Sequence, residues 1–144
     1  MNQKMEAQYA EAKGELLSEV NGKTTTLTIK EFAPAGVKIQ SNQEIEVKGR
    51  YSATRAATTD ALLKADGTGE WETRAIDLTG EGEMIMVTAK GTMRQESPGI
   101  VRWEGDVSYE TPSQKLAWLN STRARTEGTT KMVTGEMTGK TYAK

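Results

Sequence analysis

Residues 100–111 read IVRWEGDVSYET, and this stretch decides the fold because its apolar and polar side chains alternate one by one. One face of an extended strand here carries the apolar side chains Val101, Trp103, Val107 and Tyr109. The other face carries charged and small polar residues. Such alternation is typical of a strand with one buried and one solvated face, so the stretch predicts an antiparallel sheet.

Short turn signals separate similar alternating stretches along most of the chain. Residues that favour tight turns occur together at Asp66-Gly67, at 80–82 and at 97–99. A further break is expected at Pro34-Ala35-Gly36. Asn21-Gly22 is the strongest hairpin signal, because both central residues of a type I′ turn need positive φ. We therefore expect the first hairpin to reverse at Asn21-Gly22.

The remaining segments extend this pattern towards both ends of the chain. We expect a strand over Glu44–Thr54 and two last strands over Leu116–Thr126 and Lys131–Tyr142, separated by Glu127-Gly128. Gln3–Lys13 fits both helical and strand spacing, and its conformation stays open.

Eight to ten strands joined in this way leave exposed edges unless the sheet closes. The sequence thus predicts one all-β domain over residues 1–144, a single antiparallel up-and-down β-barrel. Closing about eight strands gives an interior that side chains fill or that holds one small ligand. Glycines that follow charged residues inside strands, such as Gly91 and Gly105, are interpreted as bends or bulges.

Composition excludes most familiar catalytic chemistry. The 144 residues include no Cys and no His, which removes thiolate nucleophiles, imidazole bases and the usual zinc ligands. We expect no metal and no cofactor. A net charge of -1 gives no electrostatic reason to bind nucleic acid. Neither a signal-peptide apolar run nor an 18-residue apolar stretch is present, so we expect a cytoplasmic protein without a membrane partner.

Aromatic residues on several predicted strands form the candidate ligand site. Tyr and Trp offer apolar area together with a hydrogen-bonding group. The expected walls of the lumen are Tyr51, Trp71, Trp103, Tyr109 and Trp118. The candidate polar anchors are Arg74, Glu110 and Asn120. An inward charge of this kind is either a structural ion pair or a substrate anchor, and plain core packing of the aromatics is the competing interpretation.

Met84-Ile85-Met86-Val87 is apolar on both faces of its strand, unlike its neighbours. The outer face then needs a cover. We expect a homo-oligomer that buries Met84 and Met86, with the N-terminal segment as the alternative cover.

The leading functional hypothesis is a barrel that binds a small apolar or aromatic molecule in its lumen. One alternative is a cofactor-free cyclase or isomerase of the same shape, which would act mainly by holding its substrate in a reactive conformation. Another is a structural oligomeric module with a filled core. The sequence leaves open whether there is any catalysis and identifies no catalytic residue.

Two motifs support a family resemblance. The first motif comprises Leu63–Gly67, Arg74 and Gly82–Val87. The second comprises Tyr109-Glu110-Thr111 followed by Ala117-Trp118-Leu119-Asn120. Both resemble segments of a small uncharacterised bacterial β-barrel family with an Ala-Trp-Leu-Asn signature. The resemblance covers about residues 62–142. It implies a calycin-like single barrel, broadly similar to lipocalin-type and allene oxide cyclase-type barrels and often oligomeric. It implies no established activity.

Overall fold

The computed structural model of the chain describes residues 14–144, which form a closed antiparallel barrel of eight strands. Each strand pairs with the next along the chain, and the last pairs with the first. The strands are β1 (Leu16–Ala33), β2 (Gly36–Gly49), β3 (Ala53–Lys64), β4 (Thr68–Thr79), β5 (Met84–Ser97), β6 (Ile100–Glu110), β7 (Arg123–Lys131) and β8 (Glu136–Ala143). The all-β up-and-down barrel is thereby confirmed. The ambiguous stretch Gln3–Lys13 lies outside the described residues.

The alternation in β6 positions its side chains as the sequence predicts. Val107 and Tyr109 are buried inside the barrel, whereas Arg102 and Asp106 of the predicted outer face are exposed. The turns at 66–67, 80–82 and 97–99 also connect strands as expected. Local turn residues and a period of two are therefore sufficient to define β4, β5 and β6.

The hairpin predicted at Asn21-Gly22 is wrong. β1 continues through both residues, and Asn21 pairs with Glu46 of β2 on one side and with Thr138 of β8 on the other. A strand that is paired on both edges gains two ladders, which outweighs a local turn preference. The first reversal comes instead at the predicted Pro34–Gly36 break.

Three other predicted boundaries are also wrong. The chain reverses at residues 50–52, inside the expected strand Glu44–Thr54. After β6 it forms a 3₁₀ helix over Ala117–Ser121, where a strand was expected. β7 passes straight through Glu127-Gly128, and the turn to β8 lies at residues 132–135.

The two ends of the barrel differ. At one end the 3₁₀ helix and the residues just before it place Leu116 and Leu119 in the core, which closes that end. At the other end, pairing of β1 with β8 stops at Lys23 while pairing with β2 continues to Ala33. The β1–β2 hairpin therefore projects beyond the rest of the barrel as a lip above an open end.

Candidate functional site

A cavity of about 370 Å³ occupies the barrel between the open end and the closed end. Its size falls within the range of small-molecule sites. Alanine supplies several of the inward-facing positions around it, namely Ala57, Ala61, Ala75 and Ala89. A side chain that ends at Cβ cannot reach the barrel axis, so these positions leave the lumen hollow.

Trp71 and Trp103 form one wall of this cavity. Their rings meet edge to face, with centroids 6.3 Å apart and planes at 79°, a favourable geometry for aromatic pairs. Each indole N–H is already satisfied: Trp71 Nε1 donates to the Thr92 carbonyl at 3.1 Å, and Trp103 Nε1 donates to Thr130 Oγ1 at 3.0 Å. The pair therefore presents apolar ring surface to the lumen.

Mid-strand glycines make room for the two indoles. A Cβ at Gly105 would lie 2.7 Å from Trp71 Cζ2, and a Cβ at Gly139 would lie 2.4 Å from Trp103 Cη2. The register shifts of the barrel occur elsewhere, for example between Gln95 and Ser97. The interpretation of these glycines as bulges is thus wrong for Gly91 and Gly105. At Gly105 the absence of a side chain leaves the space that the Trp71 ring occupies.

A buried ion pair lies at the base of the lumen. Arg55 donates from Nε to Asp77 Oδ1 at 2.6 Å and from Nη2 to Asp77 Oδ2 at 3.0 Å. The Tyr51 hydroxyl donates to Asp77 Oδ2 at 2.7 Å, and Arg55 Nη2 donates to Tyr51 Oη at 3.4 Å. Asp77 is fully buried and the Arg55 side chain is 13% exposed. The bidentate geometry is the strong form of the Arg–carboxylate contact.

The protonation states in this cluster follow from burial. Burial raises the pKa of the Tyr51 phenol far above its usual range, and the positive charge of Arg55 only partly opposes this. Burial likewise raises the pKa of Tyr109 to about 12, again with partial opposition from Arg55. Burial acts to lower the pKa of Arg55, but the hydrogen bonds and charge of Asp77 outweigh it and the net change is upward. Near neutral pH both phenols are neutral and Arg55 is a cation.

Other polar groups of the wall are paired with one another. Gln43 Nε2 donates to Ser41 Oγ at 2.7 Å, and Gln43 Oε1 accepts from Thr59 Oγ1 at 2.9 Å. The Thr59 hydroxyl also contacts the Thr73 hydroxyl at 2.7 Å. Of the described residues that line the cavity, Arg55 alone carries a charge.

Four of the eight predicted site residues are buried or half-buried inside the barrel: Tyr51, Trp71, Trp103 and Tyr109. Trp71 and Trp103 line the cavity. Tyr51 lies in the turn between β2 and β3, and its ring meets that of Tyr109 edge to face at 6.3 Å. Both tyrosines belong to the closed end, next to Asp77.

The other four predicted residues lie outside the lumen. Arg74 is on the outer face, 77% exposed and 3.5 Å from Asp60, because the inward parity of β4 is that of Trp71 and Asp77. Glu110 is exposed at the end of β6. The last two, Trp118 and Asn120, lie on the 3₁₀ helix and not on a strand.

Trp118 and Asn120 hold the closed end together. The Arg50 guanidinium sits over the Trp118 ring at 4.2 Å from its centroid. Asn120 accepts from the Thr111 amide at 2.8 Å and donates to the Thr111 carbonyl at 3.0 Å. These contacts fix the 3₁₀ helix against the end of β6, so their role in the described structure is to close the barrel.

Sequence reasoning missed Arg55, the residue that occupies the place expected for Arg74. A signal was present: Tyr51 was predicted to face inward, and the same alternation extended by four positions reaches Arg55. Arg74 shares the outer face of β4 with the apolar residues Ile76 and Leu78, which makes that face resemble a core face in the sequence.

No helix in residues 14–144 is long and apolar enough to cross a membrane. Within the same residues, no group of three or more carboxylate side chains comes together in a way that could hold a metal ion.

No protein-family model matches the chain, and no curated protein matches it. Several solved structures are similar in fold. A protein of unknown function from Clostridium acetobutylicum ATCC 824 has 13% identity and a TM-score of 0.79, covering 90% of this chain and 96% of that one. A β-barrel-like protein from Acinetobacter baumannii AYE has 16% identity and a TM-score of 0.77, covering 90% and 93%.

An enzyme from Penicillium herquei has 22% identity and a TM-score of 0.66, covering 89% of this chain and 92% of that one. At such identities these likenesses concern the fold alone. The two bacterial likenesses, to a protein of unknown function and to a β-barrel-like protein, agree with the barrel fold, and the resemblance to a family with the Ala-Trp-Leu-Asn signature stays a prediction.

Proposed function

We propose that this barrel binds a small apolar or aromatic molecule in its lumen. The observation that carries the proposal is the 370 Å³ cavity, which has two indole faces on one wall and a single charged group at its base. An apolar cavity with few polar groups is the usual form of a small-molecule site. Trp71 and Trp103 supply the ring surface against which a planar ligand would lie.

The open end supports the same function. Leu27, Ile29 and Phe32 of the projecting lip are 51%, 56% and 78% exposed, and Val133 of the adjoining turn between β7 and β8 is 93% exposed. Apolar side chains grouped in water carry a free-energy cost and commonly mark a contact or access site. Here they would receive an apolar ligand before it reaches the cavity.

Binding can be tested by tryptophan fluorescence in a Trp118→Phe background, which removes the indole that lies outside the lumen. A panel of neutral aromatic compounds should quench Trp71 and Trp103 saturably. Ala89→Leu places a larger side chain in the cavity, and we expect it to weaken binding about tenfold or more, equivalent to about 1.4 kcal/mol.

Thr88→Leu is the matched control, because Thr88 is the adjacent residue of β5 on the outer face. It should leave binding unchanged. Equal binding by the wild type and Ala89→Leu, or no quenching by any compound, would contradict the proposal.

The cyclase or isomerase hypothesis uses the same cavity and could act by holding its substrate in a reactive conformation, but no described residue of the Arg55 cluster is suited to act as a general base. Burial holds the phenols of Tyr51 and Tyr109 neutral near pH 7, and Asp77 lies behind Arg55 with its carboxylate occupied by three hydrogen bonds. A general base needs a pKa near the working pH and reach to the substrate. The observations therefore favour binding over proton-transfer catalysis.

We further propose that a second copy of the chain covers the outer face of β4 and β5. Ile76 pairs across the strands with Met86, and Leu78 pairs with Met84. All four side chains are 44–52% exposed. A compact uncharged patch of this kind suits a self-complementary dimer contact. Met86→Lys should dissociate the assembly in light-scattering chromatography while Thr138→Lys, on the exposed face of β8 across the barrel, should not, and a wild-type monomer at all concentrations would contradict this.

A further inference from the structure

Not all N–H donors of the Arg55 guanidinium are used by the ion pair with Asp77. Its Nε and Nη2 are occupied by Asp77 and Tyr51. Its two Nη1–H donors have no acceptor within residues 14–144. Arginine carries five N–H donors in a fixed plane. Because Nε and Nη2 face Asp77, the Nη1 group lies on the side of the guanidinium that points away from Asp77. Because Arg55 itself lines the cavity, a molecule that enters the lumen in place of solvent can supply an acceptor to Nη1.

The charge of Arg55 is already balanced. Asp77 contributes one negative charge at hydrogen-bonding distance, and the two neighbouring phenols are neutral, so the cluster as a whole has no net charge. A carboxylate added at Nη1 would leave one uncompensated negative charge in an apolar lumen. Burying a charge without a partner is costly, whereas a neutral oxygen acceptor adds no charge.

Among the described residues of the wall, no other donor is charged. The indole N–H groups of Trp71 and Trp103 are spent on Thr92 and Thr130, and one N–H of the Gln43 amide is spent on Ser41. Hydroxyl groups also line the cavity, but a hydrogen bond from a charged donor is the stronger kind. Nη1 is therefore the strongest donor for fixing the orientation of a molecule in the lumen.

We infer that the lumen selects a neutral ligand with a carbonyl-type oxygen, such as an aromatic ketone, which accepts from Arg55 Nη1 while its rings lie against Trp71 and Trp103. This inference rests on the proposed function and specifies its ligand class. It distinguishes this barrel from a carrier of acids, in which an unpaired arginine would bind a carboxylate.

Three matched naphthalenes test the inference by titration calorimetry on the full chain at pH 7.5. They are 2-acetonaphthone, which has a neutral carbonyl; 2-naphthoate, which is an anion; and 2-ethylnaphthalene, which has no acceptor. We expect 2-acetonaphthone to bind about tenfold or more tightly than 2-ethylnaphthalene, as a hydrogen bond to a charged donor predicts. We expect 2-naphthoate to bind at least about tenfold more weakly than the ketone.

A double variant, Arg55→Met with Asp77→Leu, checks that the preference for the ketone arises at this ion pair. It removes both charges together, so that neither charge is left buried without its partner. The ketone should then bind no better than 2-ethylnaphthalene. The carbonyl stretch of bound 2-acetonaphthone should also move to higher frequency in this variant than in the wild type, as the hydrogen bond is lost.

The outcomes separate the two proposals. If 2-ethylnaphthalene binds and the ketone binds no better, the lumen binds apolar molecules and the role of Arg55 is refuted. Tighter binding of 2-naphthoate than of the ketone would also refute it, by showing that Arg55 acts as an anion site. If none of the three compounds binds, both proposals fail.

Discussion

Replacing Asp77 by Asn should destabilise the barrel more than most single substitutions. Asn keeps the shape of the side chain but removes the charge that balances Arg55, whose side chain is only 13% exposed. Removing one partner of a buried pair typically costs about 3–5 kcal/mol, because the other charge is left without compensation. Coulomb's law gives a similar size: two unit charges about 4 Å apart interact by about 4 kcal/mol at an effective dielectric constant of about 20.

The expected loss is therefore a large part of the whole free energy of unfolding, which is about 5–15 kcal/mol for most proteins. Urea titration followed by circular dichroism measures it, and the midpoint should fall with little change in slope. Arg74→Gln is the matched control, since the Arg74–Asp60 pair is exposed on the outer face. Its cost should stay below about 1 kcal/mol.

A rescue variant identifies the cause. Adding Arg55→Met to Asp77→Asn removes the stranded cation, so most of the lost stability should return. The reasoning is refuted if Asp77→Asn unfolds within about 1 kcal/mol of the wild type, or if Arg55→Met makes the variant still less stable.

Three further predictions concern other parts of the barrel. Gly139→Ala should cost about 1–3 kcal/mol in urea unfolding, because its Cβ would lie 2.4 Å from Trp103 Cη2 and 2.6 Å from the Glu127 carbonyl oxygen, and a neutral result would show that the indole and the neighbouring backbone can both shift. Stability should fall as the pH rises from about 10 to 12, since an unfolded tyrosine ionises near 10 whereas the pKa of Tyr109 is raised to about 12; the folded state then holds the proton that the unfolded state has lost. Absorbance of tyrosinate at alkaline pH, compared with Tyr109→Phe, checks this, and an unchanged profile in the variant would contradict it. Asn120→Ala should cost about 1–3 kcal/mol, because it leaves the Thr111 amide and carbonyl without their partner at the closed end, and a smaller loss in urea unfolding would indicate that water replaces the side chain.

The fold could be predicted from the sequence because its information is local. Each strand from β4 to β6 shows a period of two bounded by turn residues, and strands that follow one another in the chain pair in space. Asn21-Gly22 shows where this fails. The partners of Asn21 are 25 and 117 residues away, at Glu46 and Thr138, and no local signal reveals pairing at that distance.

The site could be predicted only in part, because inward and outward residues differ by one position. Trp71 and Trp103 were found since aromatic residues in an alternating strand face inward by default. Arg74 is wrong as an inward anchor because Ile76 and Leu78 make the outer face of β4 resemble a core face. A charged residue inside a barrel contradicts the hydrophobic pattern that defines the inner face, so the alternation that reaches Arg55 identifies it as a site residue only together with its partner Asp77.

The small number of large apolar residues in the chain explains why the barrel contains a cavity. Leu, Ile, Val and Phe make up 22 of 144 residues, fewer than a packed core of this size usually contains. The shortage falls at the middle of the lumen, where Ala57, Ala61, Ala75 and Ala89 line the cavity, while Leu17, Ile85 and Leu119 are among the most deeply buried side chains of the core. An apolar void costs stability roughly in proportion to its volume, and larger side chains at the alanine positions would reduce that cost. A barrel that leaves a cavity between its walls and places one arginine at the base is therefore less stable than its fold allows, and the proposed ligand binding would account for that compromise.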